Sequence, residues 1–249
     1  MRDLKKYQKD YVEQPYERFQ VRFRKRKIRE VVDRYPHRRI LEIGCGLFPL
    51  FSDFTDFDHL TVLEPAELFF SEAKKSLEDH PSRNRVELLA TTLEASCQNL
   101  SSKNFDIILL SSLLHEVVGP EIFLGQVHKL ASAETIVHVN VPNALSFHRL
   151  LAAECGLIKS VYELSASNLQ LQQNTIFSLN SLQIMAEQSG FDIIESGSYS
   201  FKPFTHKQME DMYQQKILTE YIIDGLYAME KFAPGCGSEI FVNLRRKKI

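Results

Sequence analysis

Residues 40–46 read Ile-Leu-Glu-Ile-Gly-Cys-Gly, and no other segment restricts the fold as much. Residues suited to a buried strand run directly into a turn with a glycine on either side of Cys45. Glycine lacks a Cβ, so such a turn lets backbone approach a ligand closely. Glu42 stands among the apolar residues, two positions before the first glycine, where a carboxylate needs a reason.

From this turn to Val141, strand-like and helix-like segments alternate. Strands are predicted at 39–43, 59–64, 86–90, 105–110 and 135–141, and helices near 49–54, 66–79, 93–99 and 120–131. Short strands that are apolar on both faces and separated by helices form a parallel sheet covered on both sides. Right-handed crossovers make it doubly wound. Beyond Val141 the pattern predicts a helix from Pro142-Asn143 to Gly156, a polar stretch over 165–174 and a helix over 181–189. A strand at 191–196, a helical stretch over 206–232 and a last strand at 239–244 follow. With an N-terminal helical stretch over 14–35, the expectation is one α/β domain spanning 1–249. Its sheet would be mostly parallel and seven-stranded, with an antiparallel C-terminal strand and helical insertions after the fifth and sixth strands.

Composition narrows the partners. Thirty Lys and Arg against 32 Asp and Glu leave a net charge of −2, so nothing general calls for nucleic acid. The one basic run, Arg22-Phe-Arg-Lys-Arg-Lys-Ile-Arg29, could meet phosphate or anionic lipid. Phe19, Phe23, Ile28, Val31 and Val32 recur at helical spacing around it, so it reads instead as the solvated face of an amphipathic helix. Cys45, Cys97, Cys155 and Cys236 are too scattered for a zinc site or a disulfide framework, and no metal is expected. The segment MRDLKKYQKD lacks the apolar core of a signal peptide, and no apolar run is long enough to span a bilayer. A cytoplasmic location is the expectation.

Dinucleotide-binding turns carry a third glycine, and an acid about 20 residues on that holds ribose hydroxyls. Glu64 lies 20 residues after Gly44, at the end of the second strand. The third glycine is replaced by Leu47-Phe48-Pro49, which removes the close helix approach that a pyrophosphate needs. This disfavours an NAD-dependent oxidoreductase. A nucleoside without phosphates remains well matched.

These residues also carry a resemblance. Glu42-Ile43-Gly44-Cys45-Gly46, followed by Leu63-Glu64-Pro65, resembles the first motif and the ribose acid of class I (Rossmann-like) S-adenosylmethionine-dependent methyltransferases. Leu89-Ala90-Thr91-Thr92-Leu93-Glu94 stands where that family's adenine loop leaves the third strand. The run from Phe105 to Val117 resembles the fourth-strand motif that lines the reaction site. The similarity covers about residues 38–141. It implies S-adenosylmethionine as cofactor, held by Glu42, Gly44, the backbone of Cys45, Gly46, Glu64, Pro65, Thr91, Thr92, Leu93 and Ser111. Many family members carry an acid where this chain has Thr91 and Thr92. The resemblance also gives Glu42 a purpose, because a sulfonium and an ammonium make the methionine end doubly cationic. The alternative for Glu42 is structural, tying down N–H groups of the turn.

Within this reading, 1–37 form a helical lid, 38–141 the cofactor-binding core, and 142–178 and 201–235 the substrate-side insertions. Methyl transfer from a sulfonium is an in-line displacement, so alignment supplies much of the rate. A hydroxyl acceptor needs a base as well. His115, in Leu113-Leu114-His115-Glu116-Val117, matches the catalytic histidine of small-molecule O-methyltransferases, with Glu116 as a second base or an orienting partner. Tyr11, Tyr16, Asn143, His148 and Arg149 are the candidate acceptor contacts. The stretch 141–152 resembles methyltransferases of bacterial surface-sugar and secondary-metabolite pathways. The expected reaction is methylation of a hydroxyl or carboxylate oxygen on a small molecule. N-methylation of an amino sugar, amino acid or peptide is the near alternative, and a catalytically inactive S-adenosylmethionine-binding protein the remoter one.

Overall fold

A computed structural model describes residues 3–248; residues 1, 2 and 249 of the expected domain lie outside the described residues. Two helices lead, α1 (Leu4–Val12) and α2 (Glu17–Val32). The first half of the sheet follows as β1 (Arg39–Ile43), β2 (His59–Leu63), α3 (Glu67–Glu78), β3 (Val86–Leu89), α4 (Leu93–Leu100), β4 (Ile107–Ser111), α5 (Pro120–Leu130) and β5 (Ile136–Pro142). The second half holds α6 (Phe147–Glu154), α7 (Ala166–Gln170), α8 (Leu179–Gln188), β6 (Phe191–Tyr199), α9 (His206–Gln214), α10 (Glu220–Ala228) and β7 (Glu239–Arg246).

The seven strands make one sheet in the order β3-β2-β1-β4-β5-β7-β6. β1 to β5 run parallel, and β7 enters antiparallel between β5 and β6, as expected for the last strand. Sheet order reverses beside β1, which lies between β2 and β4. In open α/β sheets the crevice at such a reversal, beyond the strand C-termini, is where ligands bind. Register brings the relevant ends level, since Ile43 pairs with Leu63 and Glu42 with Leu109. The Gly44 turn, Glu64 and the residues after Ser111 therefore emerge together.

Alternation along β1 divides the core. Leu41 and Ile43 pack with α4, α5 and α8 through Leu93, Leu124 and Leu182, whereas Ile40 faces Ile28, Val31 and Val32 of α2. Strand geometry puts Glu42 on the same face as Ile40, so its carboxylate is directed into the buried layer beneath α2. Most of the basic run is paired: Arg22 with Glu220 and Asp224, Arg26 and Lys27 with Glu30, and Arg29 with Asp33. Arg24 departs from the expectation of a solvated face and turns inward.

Several helix boundaries also differ. The stretch 14–35 is only the second of two helices, because Pro15 lacks an N–H and restricts Gln14, and Tyr16 takes φ 61°. The segment 49–54 makes only a 3-10 turn at Leu50–Ser52. The polar stretch 165–174 holds α7, whose capping box joins Ser165 and Asn168. The stretch 206–232 breaks at Lys216 (φ 60°), after which Thr219 caps α10.

A polar chain crosses the antiparallel half of the sheet. His138, fully buried, donates from Nδ1 to Asn243 Oδ1 at 2.7 Å, and Asn243 donates to Glu195, which pairs with Arg34. Burial pushes the His138 imidazole down to about 4, with the Lys27 charge acting in the same direction. The unfolded chain then binds a proton that the folded one refuses. Stability from this group is complete above about pH 6.5 and is lost as pH falls towards 4, in total about 3 kcal/mol. His138→Gln should flatten the urea-denaturation stability profile between these pH values relative to wild type.

Candidate active site

Two adjoining cavities open where β1, β2 and β4 end. The first, of about 120 Å³, is lined by the glycine turn, Glu42, Glu64, Pro65, Ser111, Ser112 and Glu116, with Leu4, Tyr7 and Tyr11 closing it from α1. Gly44 and Gly46 take φ of +76° and +56°. A Cβ would meet only ordinary contact at Gly44 and open space at Gly46, so conformation, rather than crowding, calls for glycine here. Gly44 N–H donates to Leu63 O at 2.8 Å, tying the turn to β2.

Glu64 fixes the other side of the turn. Its Oε2 accepts from Gly46 N and its Oε1 from Ala66 N, both at 2.9 Å. Glu42 accepts the Leu50 N–H on both oxygens, at 3.1 and 3.0 Å. Burial pushes its carboxyl up to about 7, opposed by the Leu50 N–H and Lys25 and reinforced by Glu64 and Asp53. Cys45 is buried, and burial with the two nearby acids raises its thiol well above the ordinary range. That thiol is an unreactive wall.

α1 is held over this cavity by its polar groups. The Gln8 amide, oriented with its oxygen towards α3, accepts from Glu67 N and Leu68 N at 3.0 and 3.1 Å. Tyr7 Oη donates to Glu116 Oε1 at 3.2 Å, and Tyr11 Oη to Glu17 Oε1 at 2.9 Å.

The second cavity, about 430 Å³, shares Tyr11, Arg24, Ser112 and Glu116 with the first. His115, Asn143, His148, Arg149, Lys202 and His206 also line it. His115 is 3% exposed, its Nε2 lies 3.8 Å from Glu116 Oε1, and its carbonyl accepts from Asn174 N and Thr175 N. The insertion thus fastens to the loop after β4. Arg24 is clamped between Glu17 (2.5 Å) and buried Glu239 (3.3 Å). Burial pushes the Lys202 ammonium down to about 7, against the raising influence of Glu239 and Glu17. Ser112 holds a left-handed φ of 54° at the junction of the two spaces. Non-glycine strain of this kind clusters at functional sites.

The structure therefore gathers Glu42, Gly44, Cys45, Gly46, Glu64, Pro65 and Ser111 on the first cavity, His115, Asn143, His148 and Arg149 on the second, and Tyr11 and Glu116 on both. Thr91, Thr92 and Leu93 line neither. Thr92 Oγ1 caps α4 by accepting from Ala95 N, Thr91 Oγ1 donates to the Thr92 carbonyl, and Leu93 is a core residue. Tyr16 is also placed elsewhere, 2% exposed in an aromatic layer with Phe19 and Phe23. Asn143 reaches the wall with its amide committed: Nδ2 donates to the Gly235 and Gly237 carbonyls and Oδ1 accepts from Leu145 N. Arg149 is a staple as well, donating to the Val161 and Glu163 carbonyls. Sequence reasoning passed over Arg24, Ser112, Lys202, His206 and Glu239. Of these only Arg24 left a signal, as one of the run's cations on the same helical face as Gln20 and Ile28.

Among the described residues no group of three or more His, Cys, Asp or Glu could hold a metal ion, and no helix is long and apolar enough to cross a membrane. No protein-family model matches the chain. A 93-residue stretch is 30% identical to reducing polyketide synthase BOA6 of Botryotinia fuckeliana (strain B05.10), covering 35% of this chain and 4% of the synthase. The chain spans only that small part of the curated relative it matches. Among solved structures, a SAM-dependent methyltransferase from Thermotoga maritima, described as a possible histamine N-methyltransferase, superposes with a TM-score of 0.61 at 18% identity, over 93% of this chain and 91% of its own. The [4+2]-cyclase SpnF superposes with a TM-score of 0.59 at 16% identity, over 89% and 80%. The architecture is the Rossmann-like methyltransferase fold, a mixed seven-stranded sheet with helices around it.

An acid whose folded pKa is raised contributes most stability below its unfolded pKa and loses it as pH rises through the folded value. Ionising Glu42 thus costs the ligand-free protein about 3 kcal/mol. Glu42→Gln keeps an oxygen for Leu50 N and cannot ionise. Its stability relative to wild type should improve by roughly 2–3 kcal/mol from pH 5 to pH 8.5, read by chemical denaturation without ligand.

Proposed function

We propose that this chain is an S-adenosylmethionine-dependent methyltransferase that methylates a hydroxyl or carboxylate oxygen of a small molecule, with His115 as base for a hydroxyl. The carrying observation is the junction of the two cavities. A turn with two acids and two left-handed glycines stands on one side, a buried histidine on the other, and Ser112 and Glu116 belong to both. The first space would take the cofactor and the second the acceptor. Bound S-adenosylmethionine supplies an electrophilic methyl group on a sulfonium.

The chain's own residues then have separable tasks. Glu64 holds ribose hydroxyls while it braces Gly46 and Ala66. Glu42 places negative charge near the cationic methionine end, and Gly44 and Gly46 let the backbone come close. Tyr7 and Tyr11 of α1 act as the lid and exclude water. The acceptor oxygen attacks the methyl carbon in line as the carbon–sulfur bond breaks, and His115 takes the hydroxyl proton. The proposal includes a cytoplasmic setting, which suits the four free cysteines.

Calorimetry should show binding of both S-adenosylmethionine and S-adenosylhomocysteine; no heat with either overturns the reading. Glu64→Gln sets an amide NH₂ against the N–H of Gly46 or Ala66, so it should weaken S-adenosylhomocysteine by about 1.5–3 kcal/mol in a folded variant.

His115→Ala should lower kcat by about 10²-fold or more with little change in cofactor affinity. Single-turnover rates with an identified acceptor check this. A variant within threefold of wild type would remove His115 as the base and move the assignment to N-methylation or to Glu116.

A further inference from the structure

The second cavity holds a basic side chain that no protein group engages directly, although Glu17 and Glu239 stand on the same wall. Lys202, on the loop after β6, is 5% exposed and lines this cavity, yet no described residue gives its Nζ a hydrogen bond or an ion pair. The other cations on the same wall are engaged. Arg24 is paired with Glu17 and Glu239, Arg149 is held by the Val161 and Glu163 carbonyls, and exposed Lys207 pairs with Asp211. Two imidazoles accompany Lys202 on this wall, those of His148 and His206, and His148 Nδ1 is buried without a hydrogen-bond partner. Burial and the Lys202 charge hold both rings well below their ordinary pKa, so near neutrality they are uncharged groups that can each donate one N–H. A nearly buried amine without a hydrogen-bond acceptor, facing a cavity, is favoured by a ligand that supplies one.

We propose that Lys202, with His148 and His206, binds the carboxylate of a hydroxy-acid methyl acceptor, whose hydroxyl is presented to His115 in the same cavity. This rests on the methyl-transfer reading for the role of the site, though not for its affinity for an anion. The Lys202 amine and two imidazole N–H groups on one wall offer a carboxylate three hydrogen-bond donors and a single basic group. A phosphate dianion would ask for a second cation, and Arg24, Arg149 and Lys207 are each already engaged.

The test titrates the full chain, saturated with S-adenosylhomocysteine, with 4-hydroxybenzoate, 4-hydroxybenzamide and phenyl phosphate by calorimetry or ligand-observed NMR. The expected result is benzoate binding at least tenfold tighter than benzamide. Lys202→Met should remove that preference while S-adenosylhomocysteine affinity stays within twofold, and His206→Gln should weaken benzoate about threefold. Equal binding of benzoate and benzamide, no benzoate binding, or a folded Lys202→Met variant that keeps the preference overturns the proposal. Tighter binding of phenyl phosphate overturns the carboxylate assignment. Should Lys202→Met fail to fold, the wild-type ranking and His206→Gln decide. If S-adenosylhomocysteine does not bind, the titrations are run without it. Benzoate selectivity then upholds the anion site while the cofactor reading falls.

Discussion

The glycine turn after β1 is held by two carboxylates, and much of the site follows from that. Glu64 grips Gly46 and Ala66, and Glu42 grips Leu50, so three N–H groups of the loops leaving β1 and β2 point at acids rather than at water. Both acids are buried. A buried carboxylate is tolerated when it is hydrogen-bonded, but Glu42 ionises against its surroundings. The turn is therefore more negative, and less stable, than the sheet alone requires, as expected where stability is exchanged for a site.

Around the turn the two cavities differ in the groups that line them. Glu42 and Glu64 belong to the cavity under α1, whereas Lys202, His148 and His206 stand on the cavity beneath the insertions, with Glu17 and Glu239 on the same wall. Arg24 belongs to both and is neutralised on the spot by Glu17 and Glu239, so the two cavities meet at a closed ion pair. Backbone anchors set this arrangement. Asn174 ties the insertion to the carbonyls of His115 and Glu116, and Asn143 ties the start of α6 to Gly235 and Gly237. Gly237 must be glycine for a steric reason, since a Cβ there would lie 2.4 Å from the Tyr199 carbonyl oxygen. That crossing sets Ser238 and Glu239 into the cavity wall.

The sheet was legible because its signals are local and repeated. Apolar runs such as 107–110 are buried on both faces, and a buried parallel strand announces itself that way. Gly44, Gly46 and Glu64 could be picked out for a related reason: a glycine turn after one strand and an acid at the end of the next, 20 residues on, can be read from spacing alone. The acceptor side is assembled differently. Lys202 follows β6, His206 opens α9 and Arg24 lies on α2, so their meeting depends on how three distant elements pack. No spacing rule reports such a meeting. Asn143 and Arg149 line the second cavity, but backbone carbonyls already hold their donors, which a reading of residue types near a strand exit does not reveal. Arg24 was hidden by its neighbours, since a run of cations on a helix gives no sign of which one faces inward.

In the proposed reaction bound S-adenosylmethionine would place its cationic end near Glu42 and Glu64. Methylation of a hydroxyl would leave a proton at His115, whose Nε2 lies 3.8 Å from Glu116 Oε1. Positive charge would then move from the cavity under α1 to the boundary between the two cavities, where Glu116 is the nearest acid and also receives Tyr7 Oη from α1. The residue best placed to feel the reaction is thus the one that helps hold the covering helix. The carboxylate that would face a proton on His115 is also the one that accepts the Tyr7 hydroxyl, so the proposed base and the covering helix share one acid.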